Sequence, residues 1–145
     1  MRGTMSVLIV DDNAAFARSA RAIIEEIHPA FRVHTVETAR DALAFLNCHP
    51  PFTAAPRPAF VLLDYHLPDE DAPAVLERLR ANPDLANLPV LVLSQADWEV
   101  DEAAATLAGA TQFQVKPSRV GPLRELVGTF WREHVDGGNG PADQG

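Results

Sequence analysis

One cysteine, Cys48, stands in 145 residues. No internal disulfide is therefore available, and the fold must rest on a core, as suits a reducing compartment. No apolar run approaches the ~20 residues of a membrane-spanning helix. The N-terminal run Val7 to Val10 stops at two aspartates, too short for a signal peptide. Basic residues are few as well: 12 Lys and Arg face 20 Asp and Glu, a formal charge of −8. They are scattered, whereas a phosphate-backbone binder needs clustered cations. The five histidines have no metal-ligand spacing, which sets zinc aside. These absences point to a soluble, cytoplasmic chain with no membrane or nucleic-acid partner.

What is present is an alternation of short apolar runs and amphipathic stretches. Val7-Leu8-Ile9-Val10 reads as a strand buried on both faces. Asn13 can cap a helix carrying Phe16, Ala20, Ile23, Ile24 and Ile27, ended by Pro29. Phe31–Val36 is a second, more polar strand suited to a sheet edge. Thr38 opens a helix with Ala39, Ala42, Leu43 and Leu46 on one face, Asp41 being placed for a capping box. Pro50, Pro51, Pro56 and Pro58 make residues 48–58 a loop.

Phe60–Leu63 is the third strand and ends at Asp64. Pro73 suits the first turn of a helix bearing Val75, Leu76 and Leu79, which ends near Pro83. Val90–Leu93 is the fourth strand; Ala103–Ala108 lies in a fourth helix stopped by Gly109. Phe113–Val115 is the fifth strand, and Pro122 opens a last helix with Leu123, Leu126, Val127, Phe130 and Trp131. Two adjacent aromatics on one α-helix cannot both face inward. One of Phe130 and Trp131 is thus expected on a partner surface, which suggests a homodimer through the C-terminal helix region. One domain, residues 1–135, is expected, with a disordered Gly-rich tail at 136–145.

Five strand-helix units predict an α/β fold, a five-stranded parallel sheet with five helices on its two faces. The flavodoxin-like doubly wound order 2-1-3-4-5 makes strands one, three, four and five consecutive neighbours, and ligands sit beyond their carboxyl ends. At those ends stand Asp11-Asp12, Asp64, Ser94 and Lys116-Pro117. Three crowded carboxylates repel one another unless a cation joins them or their pKa values rise. Hard oxygen ligands suit Mg²⁺. A carboxylate can attack phosphorus to give an aspartyl phosphate, a transfer that asks chiefly for positioning and nearby positive charge. Lys116 would supply some of that charge, and Ser94 a hydrogen bond to the attached group.

Taken singly, each residue has a plainer reading. Asp11 and Asp12 could cap the next helix, Lys116 could be a surface lysine and Ser94 a turn residue. Phe113 is as well explained by the core as by a switch. Cys48 has no partner that would make it reactive. The joint register of the four strand ends is what favours a site.

The segments VLIVDDN (Val7–Asn13), VLLDYHLP (Val61–Pro68), VLVLS (Val90–Ser94) and VKP (Val115–Pro117) resemble, in order and spacing, the signature of receiver domains of two-component response regulators. The likeness spans about residues 6 to 133. It implies Asp64 as phosphoacceptor, and Asp11, Asp12, Asp64 and the His66 backbone carbonyl as Mg²⁺ ligands. It also implies Ser94 and Phe113 as switch residues, Lys116 as the phosphoryl partner, and a cis peptide before Pro117. A sensor histidine kinase is the implied phosphodonor, and such a chain is a switch rather than an enzyme.

The Pro-rich insertion, the run Asp84–Pro89 and the Phe130-Trp131 ending resemble stand-alone, often homodimeric regulators of phytochrome kinases, so a bacteriophytochrome is a candidate partner. Gln95 after Ser94 and Ala72 after Asp71 depart from the usual pattern, His66 and Gln95 are expected near the path of the attacking water, and an unusual lifetime of the phosphorylated state is expected. The competing readings are a pseudo-receiver that only binds proteins and, less favoured, an aspartyl-phosphate phosphatase. The latter wants an acid where His66 stands.

Overall fold

The computed structural model describes residues 5–95 and 98–136, with the backbone alone at Trp98. The strands are β1 (Met5–Val10), β2 (Phe31–Val36), β3 (Phe60–Asp64), β4 (Val90–Ser94) and β5 (Gln112–Val115). The helices are α1 (Ala14–Ile27), α2 (Ala39–Leu46), α3 (Ala72–Ala81), α4 (Trp98–Ala108) and α5 (Val120–Phe130). All neighbouring strands run parallel, in the order β2-β1-β3-β4-β5, as the flavodoxin-like reading expects. Among the described residues no helix is long and apolar enough to cross a membrane.

Strand residues alternate between two core layers, as side chains of period two must. Leu8, Val10, Val61, Leu63 and Val92 pack against buried residues of α2, α3 and α4, among them Phe45, Leu76 and Ala105. Val7, Ile9, Phe60, Leu62 and Leu91 meet Ile23, Ile24, Val127 and Phe130 of α1 and α5. Each such Leu, Ile or Val stabilises the fold by about 1.5–3 kcal/mol when fully buried. The register then aligns the strand ends. Val10 pairs with Leu63, Asp64 with Leu93, and Ser94 with Val115.

The caps at Asn13 and Thr38 hold as read. The Asn13 side chain accepts from the Phe16 N–H at 3.0 Å, and Thr38 Oγ1 from that of Asp41, also at 3.0 Å. At the other end of α2, Cys48 adopts φ 56°. Its N–H donates to Phe45 O at 3.2 Å while that of His49 reaches Ala44 O at 2.8 Å, the Schellman pattern that glycine usually completes. Gly109, at φ 114°, completes the same pattern after α4. Helix α5 begins two residues before Pro122, which lies in the first turn, where backbone N–H groups lack intrahelical partners.

Two expectations change at the C-terminus. Past Phe130 the chain widens into a π-helical turn over Trp131–Asp136. The wider turn alters the angular step between neighbours, so Phe130 (0% exposed) and Trp131 (7%) both face inward. Trp131 meets Phe31 edge-on at 4.9 Å. Neither Phe130 nor Trp131 is left over for a partner surface, and the basis for that inference is withdrawn. The tail expected from 136 onward lies outside the described residues, except that Asp136 closes the π turn.

Candidate functional site

Asp11 follows β1 directly, and its carboxylate is divided between two tasks. One oxygen accepts from the Asn13 N–H at 2.8 Å, turning the chain into α1; the other lies 2.7 Å from Lys116 Nζ. The helix cap is Asn13, so capping does not explain the aspartates. Asp11 is buried (2% exposed) while Asp12 is exposed. Ligand oxygens of Asp11, Asp12 and Asp64 all lie within 4.8 Å of one another. The β1–β3 register produces this closeness, since Val10 and Leu63 pair just before the two carboxylates.

Lys116 leaves β5 with its N–H bonded to Ser94 O at 2.8 Å. Its ammonium passes over the Phe16 ring, 4.3 Å from the centroid, and also stands 3.7 Å from Asp64 Oδ1. The side chain is only 5% exposed, so Lys116 is no ordinary surface lysine. The Lys116–Pro117 peptide, expected cis, is trans; among the described residues the cis peptide is Pro50–Pro51. Trans is favoured by roughly 0.5–1 kcal/mol before proline, and here it still delivers the ammonium to Asp11.

Burial of Asp64 and the nearby Asp11 charge push its carboxyl up to about 6, with Asp12 adding to the rise and Lys116 and His66 opposing it. Burial and two like charges thus outweigh the Lys116 ammonium and the nearby His66. Three carboxylates held together at this cost suit a divalent ion. The donors are hard oxygens, one oxygen of the buried Asp11 is already fixed, and the set is what Mg²⁺ or Mn²⁺ accepts.

Ser94 ends β4 beside Asp64 and is 1% exposed. Its hydroxyl donates to Asp101 Oδ2 at 2.5 Å. Asp101 comes from the first turn of α4 and is itself buried (5% exposed). The same carboxylate oxygen lies 3.3 Å from His66 Nε2, while His66 Nδ1 is 3.3 Å from Asp71 Oδ1. Phe113 points inward and packs in the same core cluster as Val92 and Ala105. Gln95 is exposed and lines a cleft with Asn13, Phe16, Lys116 and Pro117.

Two residues here escaped the sequence reading. Asp101 belongs to no strand-end motif; its signal is an acid four residues before the fully buried Ala105, on one helical face. Asp69, in the loop after β3, accepts from the N–H groups of Ala39 (2.9 Å) and Arg40 (3.0 Å) at the start of α2. Partial burial raises its carboxyl, but four backbone donors, from Ala39, Arg40, Asp69 and Glu70, more than reverse that and hold it below the usual range.

Known proteins resemble this chain in sequence and fold. Over 132 residues the chain is 29% identical to the response regulator Rcp1 of Synechocystis sp., covering 89% of this chain and 90% of that one. The crystal structure of a phosphorylated cyanobacterial phytochrome response regulator, RcpA, superposes with a TM-score of 0.83 at 26% identity, covering 91% of this chain and 94% of its own. A Mn²⁺-bound form of Rcp1 gives 0.78 at 26% identity, covering 91% and 95%. With residues 7–128 matching the family described as response regulator receiver domain, the chain belongs to the receiver domains, whose phosphoacceptor switches bind a divalent metal in an acidic pocket.

Proposed function

We propose that this chain is a phosphorylation switch in which Asp64 accepts a phosphoryl group from a sensor histidine kinase. What carries the reading is one constellation: Asp11, Asp12 and Asp64 converging within 4.8 Å, with the Lys116 ammonium 2.7 Å from Asp11 and 3.7 Å from Asp64. With its pKa near 6, Asp64 is mostly ionised at neutral pH, as a nucleophile must be. A carboxylate oxygen of Asp64 bonds to phosphorus as the phosphorus–nitrogen bond of the donor's phosphohistidine breaks. Lys116 offsets the charge of the transferred group.

Asp11, Asp12, Asp64 and the backbone carbonyl of His66 would hold Mg²⁺. When bound, the ion neutralises carboxylate and phosphoryl charge so that the two can approach. Ser94 and Phe113 then act as the switch residues, Ser94 through its hydroxyl and Phe113 through its packing against the core cluster that holds Ala105 of α4. The signal leaves as altered protein binding, a shift between states bounded by their difference in affinity. His66 and Gln95 border the phosphoryl position and set how fast water removes the group; His66→Asn and Gln95→Ala each change that rate.

The kinase is taken to be of the phytochrome type, on the likeness to RcpA and Rcp1, and the chain to act in the cytoplasm. Self-association through the start of α5 is retained on a new basis, the exposed Val115 (44%) and Val120 (48%), in place of Trp131. The test is labelling with acetyl phosphate. Incorporation is expected to need Mg²⁺ and to vanish in Asp64→Asn. A parent chain that takes no label with Mg²⁺ present, yet binds its kinase, is instead a pseudo-receiver acting purely as a binding module.

A further inference from the structure

A serine hydroxyl carries one hydrogen to donate. In this structure the Ser94 hydroxyl donates to Asp101, a buried carboxylate on α4. Yet a phosphoryl group on Asp64 would need the same hydrogen, since Asp64 pairs with Leu93 and Ser94 is the next residue of β4. We propose that Asp101 is a positioning residue that competes with the phosphoryl group on Asp64 for the single hydroxyl hydrogen of Ser94. This inference rests on the phosphoacceptor reading above and adds a regulator of that site.

The competitor is a strong one. A hydrogen bond to a charged acceptor is worth about twice a neutral one, and both partners here are shut away from water. The exchange is nevertheless feasible, because Asp101 Oδ2 already lies 3.3 Å from His66 Nε2 and keeps that neighbour when Ser94 turns away. Asp101 stands in the first turn of α4, and Ala105, one turn further, is locked in the core. Losing Ser94 therefore releases a tie between α4 and the end of β4. The phosphorylated state is held back until the phosphoryl group wins the hydrogen, and the helix is informed by the same exchange.

The experiment measures binding of beryllofluoride, a phosphoryl mimic, with Mg²⁺ in the parent, Asp101→Asn, Asp101→Ala, Ser94→Ala and the Ser94→Ala double variants. In Asp101→Ala the mimic binds at least about tenfold more tightly than in the parent, with Asp101→Asn between them. In the Ser94→Ala background the same changes alter affinity less than about threefold, because no hydrogen remains to contest. Equal effects in both backgrounds, or none in either, overturn the competition and leave the phosphoacceptor reading standing. A parent chain that fails to bind the mimic, or an Asp64→Asn variant that binds it as well as the parent, removes both.

Should Asp101→Ala not fold, the isosteric Asp101→Asn and the unaltered chain decide. In the latter, the side-chain carboxyl ¹³C resonance of Asp101 moves on adding the mimic. A resonance that stays in place refutes the exchange.

Discussion

The Lys116 ammonium is shared unevenly, 2.7 Å from Asp11 and 3.7 Å from Asp64. The nearer carboxylate takes most of the compensation, and Asp64 keeps its raised pKa of about 6. Asp64, the proposed phosphoacceptor, is thus the less neutralised of the two.

That asymmetry makes Asp64→Asn stabilising in metal-free protein. Between 3.8 and about 6 the folded chain holds a proton on Asp64 that the unfolded chain has already lost. Its contribution to stability therefore falls as pH rises through that window and stays low above it. Urea unfolding in chelator should show Asp64→Asn equal to the parent near pH 4 and more stable by roughly 1–2 kcal/mol at pH 7, solvent at the pocket mouth screening part of the effect. Saturating Mg²⁺ should erase or invert the gap. A gap unchanged between pH 4 and 7 would remove the electrostatic account.

Lys116→Met acts in the opposite direction. It strands the buried Asp11 beside two other carboxylates, and breaking a buried pair on one side costs about 3 kcal/mol. Denaturant midpoints in chelator should fall accordingly, and Mg²⁺ should restore more stability to this variant than to the parent. A variant as stable as the parent without metal would mean that the ammonium is not needed to hold the aspartates together.

Asp69→Ala removes an acceptor from two N–H groups at the start of α2 and should lower stability by about 1 kcal/mol, as loss of a helix cap does. Because its folded pKa is depressed, this contribution is complete above the ordinary carboxylate range and disappears as pH falls through the folded value. The parent and variant should converge in acid. Curves that stay parallel to low pH would assign the loss to something other than the carboxylate.

Trp131→Ala separates the two readings of the C-terminal aromatics. As a core residue in edge contact with Phe31, it should cost about 3–5 kcal/mol in a monomeric unfolding assay. A surface tryptophan would cost under about 0.5 kcal/mol. The small value would return Trp131 to the outside of the molecule.

The sheet order and the strand-end cluster were legible because they depend on periodicity and on which residue follows each apolar run. Val7–Val10, Phe60–Leu63 and Val90–Leu93 place their acids and hydroxyl by register alone. Asp101 and Asp69 were not legible. Each acts across a distance in sequence, seven residues for Asp101 to Ser94 and thirty for Asp69 to Ala39, on partners that no spacing rule names. The π turn was hidden for another reason. Trp131–Asp136 has no composition that sets it apart from an α-helix, and packing against Phe31 and Phe60 selects it. Cys48 at positive φ broke a rule that would have asked for glycine.

The anchoring of Asp69 to the first turn of α2 also fixes a direction. The segment after β3 is continuous with Asp64 at one end and pinned to a neighbouring helix a few residues later. On one side this segment is tied to Ala39 and Arg40 of α2, and on the other His66 Nε2 lies 3.3 Å from Asp101 of α4. Any displacement of this segment is expected to be smaller beside α2, where two backbone bonds hold it, than beside α4.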